Sequence, residues 1–342
     1  MPEVIKDYTR KIGLPRIIIA ATFVFLFILA FFVNLPVAML VSNIIRRFGM
    51  YGVLVLAMVP AIQSGIGPNF ALPLGIVAGI LGALISIELA LNSFWWALII
   101  AIPIATVVGY FYGKLLNRIK GSEMLVATYT GFSVVSFMSI MWILLPFSSK
   151  EMVWPIGRGL RVTVSLESSF GNVLNDFLGF NIGEVYIPTG LLLFFFGMCF
   201  LVWVFSKSKS GVAMKASGDN PKFATASGIE VNSYRILGTI LSTVLGAVGI
   251  LVYAQSYNFV QLYTAPLMMA FPAVAAILIG GASANKVKIS HAIIGVFLFQ
   301  GLLTIALPVA SQVFAYGNIA GVLRMIVQNG IILYALTKVG GE

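Results

Sequence analysis

A chain of 342 residues that is 60% hydrophobic and only 9% charged, with a mean hydropathy of +1.02, is not the composition of a water-soluble protein, in which about 25% of residues are charged. Its net charge of +10 would suggest nucleic acid in a soluble protein; in a membrane protein, basic residues collect in cytoplasmic loops for topological reasons, and no nucleic-acid partner is expected. The single cysteine, Cys199, and single histidine, His291, exclude an intramolecular disulfide and a thiolate metal cluster, and leave the common nucleophile and base pairings unavailable. No catalytic residues, metal or cofactor are expected.

In chain order, the first apolar run, 16–40, is longer than a signal-peptide core and lacks a clear cleavage site, so it reads as a retained span. Lys6, Arg10, Lys11 and Arg16 before it place the N-terminus in the cytoplasm. Further runs of spanning length, about 17 to 25 residues, lie at 70–91, 95–113, 124–146, 187–205, 235–256, 289–308 and 320–337. Two shorter runs, 51–63 and 268–281, contain Pro60 and Pro272 and read as broken or partly inserted helices near the bundle interior. The expectation is an all-α, polytopic membrane helix bundle of about ten transmembrane helices, two of them short or broken, with both termini cytoplasmic and residues 1–342 forming one domain. This topology puts most of the 21 basic residues on the cytoplasmic side. Arg46, Arg47, Lys150, Arg158 and Arg161 fall outside, and Arg324 lies near the outer end of the last span.

Residues 147–186 form the sizeable external segment, expected to carry much of the landing surface for an extracytoplasmic partner, with Arg158 and Arg161 as rim charges that set encounter rate. Within it Phe170, Val173, Leu174, Phe177 and Leu178 recur at helical spacing, which suits an amphipathic helix lying on the membrane surface or under a docked partner, or else a solvated loop with one surface helix. Glycines at packing intervals, Gly75, Gly79 and Gly82, Gly109 and Gly113, Gly246 and Gly249, predict close helix approach. The run from Gly109 to Lys114 is one residue short of a phosphate loop, and Leu115 stands where Ser or Thr is required, so the chain has no nucleotide site.

The loop 206–234 has the grammar of a short capped helix: Asn220 as N-cap, Pro221 at the first helical position and Gly228 in the left-handed position after the end. Spacing alone leaves an ordinary connecting helix the simpler reading. However, the run Gly211, Ala213, Ala216, Gly218, Asn220, Pro221, Ala224, Ser227, Gly228 and Ile229 resembles the coupling loop of bacterial ABC-importer permeases of the ribose and branched-chain amino acid type. The stretch from Ile279 resembles the same family's Ile-Gly-Gly-x-Ser loop, with Asn285, Lys286 and Lys288 replacing the following glycines. Residues 65–84 are similar to its third-span region, with Pro68, Asn69 and Phe70 in place of the acidic-Leu-Ser signature of the sugar branch.

The resemblance covers about residues 50–337. It implies a multi-pass protein of the bacterial inner membrane in contact with lipid, a second permease subunit (identical or homologous), cytoplasmic ATP-binding subunits that hold ATP and Mg²⁺, and an extracytoplasmic solute-binding protein. Gly218, Asp219, Asn220, Pro221, Ala224, Ser227, Gly228 and Ile229 would then couple to the ATPase. A monosaccharide, a nucleoside and a flavin-like compound all fit as solute; branched-chain amino acids fit less well. Neutral side chains in or beside spans, Gln63, Asn69, Gln255, Gln300 and Gln328, are candidates for the path of a polar solute, and each could equally be an interhelical hydrogen bond. Glu88 and Arg324 either pair in an outer gate or reach the headgroups. A secondary transporter or channel is the alternative, and it would need intramembrane carboxylates of which Glu88 is the sole example.

Overall fold

The run 16–40 is two helices, not one span. In the computed structural model, which describes residues 14–156, 159–313, 322, 325, 326, 329, 330, 332 and 333, α1 (Leu14–Phe32) ends in a tight turn and α2 (Val37–Leu56) returns. Asn34 takes a left-handed φ of 55°, which asparagine tolerates, and the Leu35 amide donates to the Ala30 carbonyl at 3.1 Å. Every residue of this turn except Asn34 is apolar or Pro, so hydropathy alone does not see it. Helix α2 passes through Ala57 into α3 (Met58–Gln63), and together they make one apolar span of 27 residues. The segment expected to be a short insertion at 51–63 is therefore the end of a full-length span. Arg46 and Arg47, expected in an outer loop, lie on α2.

The succeeding spans are α4 (Leu72–Glu88), α5 (Phe94–Arg118) and α6 (Glu123–Leu144). After the long connecting segment come α8 (Thr189–Lys207), the pair α9 (Lys209–Asp219) and α10 (Pro221–Ala226), and α11 (Val231–Tyr257). A broken helix follows, α12 (Thr264–Met268) and α13 (Ala270–Ile279), and then α14 (Ile289–Val313). Among the described residues six helices are long and apolar enough to cross a membrane, with shorter apolar helices at Ile17–Phe32, Leu72–Glu88 and Thr264–Ile279. The predicted span 320–337 and both termini fall largely or wholly outside the described residues.

Helix α11 is the hub, packed against α2, α4 and α5. The predicted small-residue contacts are where backbones meet. A Cβ on Gly75 or Gly79 would run into the carbonyls of Thr243 or Ala247, and one on Gly109 or Gly113 would come within 2.9 or 3.0 Å of Ile240 or Ile236 Cα. Without a hydrophobic force between helices in lipid, such close approach supplies the dispersion that holds the bundle.

The long connecting segment is less helical than expected. Strand β1 (Thr163–Ser165) pairs antiparallel with β4 (Phe259–Gln261), which follows α11, and β2 (Phe180–Ile182) forms a hairpin with β3 (Val185–Ile187). Helix α7 is confined to Val173–Asp176, bounded by left-handed Asn172 and Leu178. Phe170 and Leu174 are buried while Val173, Phe177 and Leu178 are exposed, so no continuous amphipathic helix forms.

Candidate functional site

Arg47 stands ten residues into its span, about 15 Å along the helix at 1.5 Å per residue. An arginine at that depth costs about 2.5–3.5 kcal/mol if it faces lipid, which makes an intramembrane pair of arginines a functional-site indicator. Here both face cavities. One, of about 400 Å³, is lined by Arg47 and Tyr51 from α2, Tyr253 from α11, Gln261 and Thr264 before and at the start of α12, Met268, Met269 and Pro272 at the helix break, and Gln300 and Leu303 from α14. An adjoining cavity of about 260 Å³ shares Arg47 and Leu303 and adds Asn43, Arg46, Tyr257 and Thr304.

The broken helix accounts for the cavity. Pro266 and Pro272 cannot extend a regular ladder, the chain kinks at Met269, and irregular backbone at membrane depth persists only beside protein or a wet cavity. Part of the lining is aromatic: the rings of Tyr51 and Tyr253 meet edge-on at 5.3 Å, and Tyr253 lies 4.8 Å from Tyr257, which lines the adjoining cavity. Tyr253 and Tyr257 share a face because they are four residues apart on α11. Arg46 donates to Asn43 Oδ1 at 2.8 Å. Among the described residues no carboxylate pairs with either arginine; the ion pair present joins Arg235 and Glu123.

Of the expected path residues, Gln300 lines this cavity. Gln63 lies at the basic end, accepts from Ser206 Oγ at 3.4 Å and lines a cavity of about 520 Å³ with Lys215, Asp219, Lys286, Lys288 and His291. Asn69 lines none of these three cavities. It is buried and joins three helices, donating to Ser242 Oγ at 2.8 Å and accepting from the Ala71 amide at 3.0 Å and the Tyr112 hydroxyl at 3.4 Å. Gln255 is likewise buried, accepting from the Leu174 amide at 3.0 Å and donating to Ser256 Oγ at 2.6 Å, so it ties α7 to α11. Glu88 accepts from Ser148 Oγ and from the amides of Ser148 and Ser149, which anchors the connecting segment to the end of α4. Arg161 donates to the carbonyls of Val153 and Lys150 at 3.1 and 3.3 Å and braces the same segment. Arg158, Arg324 and Gln328 lie outside the described residues.

Arg47, Tyr51, Tyr253, Tyr257, Gln261 and Thr264 are the cavity residues that sequence reasoning did not single out. The available signal was the stretch 37–63, whose only charged residues are Arg46 and Arg47 and which reads as one span once the turn at Asn34 is recognised.

At the basic end, α9 and α10 meet at Asn220, whose Oδ1 accepts from the Phe223 amide at 3.1 Å, as the capping grammar predicts. Gly228 adopts φ 79°, and the Ile229 amide returns to the Ala224 carbonyl at 2.9 Å. Ala224 is fully buried, so it seats the short helix rather than facing outward, while Phe223 is 65% exposed at the tip. Gly218 touches the loop after α3: a Cβ there would collide with the Gln63 carbonyl and lie 2.7 Å from the Gly65 amide.

Comparison with known proteins agrees with this architecture. Residues 40–336 match the family described as the branched-chain amino acid transport system permease component. The chain is 25% identical over 210 residues, 56% of its length, to the nucleoside ABC transporter permease protein NupB of Lactococcus lactis subsp. cremoris (strain MG1363). It is 42% identical over 59 residues, 17% of its length, to NupC, a nucleoside ABC transporter permease protein of the same strain. The matched stretches span 56% of NupB and 19% of NupC. A match over most of the chain, on a bundle of apolar spans, shows that the protein belongs to the multi-pass inner-membrane permeases of ABC importers of the ribose and branched-chain amino acid type.

Proposed function

We propose that this permease is the transmembrane subunit of an ATP-driven, binding-protein-dependent nucleoside importer. The observation that carries the reading is the Arg47 cavity, whose volume of about 400 Å³ falls in the usual range for small-molecule sites and whose walls offer aromatic faces and neutral polar groups. The nucleoside permeases among its relatives favour a nucleoside over the monosaccharide and flavin-like alternatives. That two differently named permeases of one strain both match supports a paired, non-identical second permease.

In this reading the basic end is cytoplasmic. Exposed Phe223 is the tip that α10 presents to a separate ATPase, which binds ATP and Mg²⁺. The segment 147–186 faces the solute-binding protein. Closure of the ATPase moves α9 and α10. Their contact through Gly218 with Gln63 and Gly65 passes the displacement to the continuous α2–α3 rod, which carries Arg47 and Tyr51 into the cavity. The apolar span formed by α2 and α3 thus joins the coupling end to the solute site, and a ligand that contacts the two access states differently shifts the population between them.

The test is ATP-dependent uptake by proteoliposomes containing the complete importer and its binding protein. Saturable uptake of a radiolabelled nucleoside is expected. Uptake of a branched-chain amino acid or a monosaccharide, with none of any nucleoside, overturns the reading.

A further inference from the structure

Three features of the cavity bear on what part of a solute it recognises. Its charged group is a guanidinium, which only donates hydrogen bonds and does so through a planar fork. No described carboxylate neutralises Arg47, and Arg46 beside it is turned to Asn43, so among the described residues the donors of Arg47 are committed to no anion. The cavity is also lined by the rings of Tyr51 and Tyr253, which meet edge-on and so offer a face and an edge to a flat heterocycle rather than to the hydroxyl-studded faces of a sugar.

Resting on the nucleoside reading above, we propose that this cavity is a nucleobase subsite: of the edge-on pair Tyr51 and Tyr253, one ring lies against the plane of the base and the other at its edge, and Arg47 donates to a ring carbonyl oxygen. Arg47 is then a specificity-determining residue that separates bases by the substituent on the ring. Inosine presents a carbonyl at position 6 of its purine, whereas adenosine presents an amino group there, a donor facing a donor. A neutral acceptor also suits transport. A guanidinium holds a carbonyl through a charge-assisted bond but not through a full ion pair, so the solute is retained long enough to be positioned and still released.

The experiment compares kcat/KM for inosine and adenosine uptake in proteoliposomes holding the complete importer, with the same binding protein throughout so that its own preference cancels. Arg47→Gln is expected to lower the inosine-to-adenosine ratio about tenfold, the effect of losing one charge-assisted hydrogen bond to the solute. An unchanged ratio in a variant that still transports overturns the proposal. If Arg47→Gln does not assemble, Arg47→Lys keeps the charge but not the planar fork and is read by the same ratio. Independently of any change at Arg47, a cysteine at Met268 in a Cys199→Ala background should be protected from a water-soluble maleimide by inosine more than by adenosine. Equal protection, or none, counts against the subsite. Preference for inosine 5′-monophosphate over inosine would mark an anion site and overturn it as well. Transport of neither nucleoside by the unaltered importer would be the failure of the nucleoside reading itself, distinguishable from a ratio that does not move.

Discussion

The guanidinium of Arg235 lies 2.6 Å from the carboxylate of Glu123, and the same side chain donates to Asn117 Oδ1 at 3.0 Å and to the Gly65 carbonyl at 3.2 Å. Near the start of α11, it thus joins the end of α5, the start of α6 and the loop after α3. That loop is where Gly218 rests, so the clamp fixes the seat of the coupling segment.

Arg235 is 7% exposed, and removing one partner of such a pair leaves the other charge uncompensated. Arg235→Ala is expected to destabilise the permease by about 3 kcal/mol, read as the denaturation midpoint in detergent. Adding Glu123→Gln to Arg235→Ala should recover part of the loss. Strict additivity of the two changes would show that the pair contributes nothing as a pair.

The tip of α10 separates folding from docking. Phe223→Ala should weaken co-purification of the ATPase while the melting temperature of the permease stays constant. Ala224→Trp should instead lower that temperature, because Ala224 is fully buried. Asn220→Ala, which loses the cap, and Gly228→Ala, at φ 79°, should each cost about 1 kcal/mol of local stability. A Phe223→Ala variant that binds the ATPase normally would move the docking surface elsewhere.

Gly218→Val tests the mechanical link. The added methyls collide with the backbone at Gln63 and Gly65, so the segment has to lift off its seat. ATP hydrolysis should continue in the assembled complex while uptake falls at least about tenfold, the order expected when a coupling of 1–3 kcal/mol is lost. Hydrolysis and uptake falling together would place the contact in folding or docking rather than in transmission.

Buried polar side chains divide into ties and cavity groups. Asn69→Ala should cost about 1 kcal/mol, as for an interhelical hydrogen bond in a membrane, and leave KM for solute unchanged. Gln300→Ala should raise KM several-fold with little change in stability, since its side chain lines the cavity. The two measurements together are a melting curve and a saturation curve for each variant; reversed outcomes would exchange their roles.

Composition and hydropathy determined that the chain is a helical membrane bundle, because about 20 consecutive apolar residues fit only one environment. Local grammar determined the short helix after Asn220 and the left-handed Gly228, because a cap is settled by neighbours within a few residues. The turn at Asn34 escaped because apolar residues surround it, and with it went the true start of the second span. Arg46 and Arg47 read as loop residues because they fall between the apolar runs 16–40 and 51–63; only the tertiary structure puts them on α2, since what makes the depth of Arg47 tolerable is a cavity built from helices more than 200 residues away along the chain, at Tyr253, Thr264 and Gln300. The same holds for Asn69 and Gln255. Their residue type announces a hydrogen bond, but whether the partner is another helix or a passing solute depends on which helices pack together.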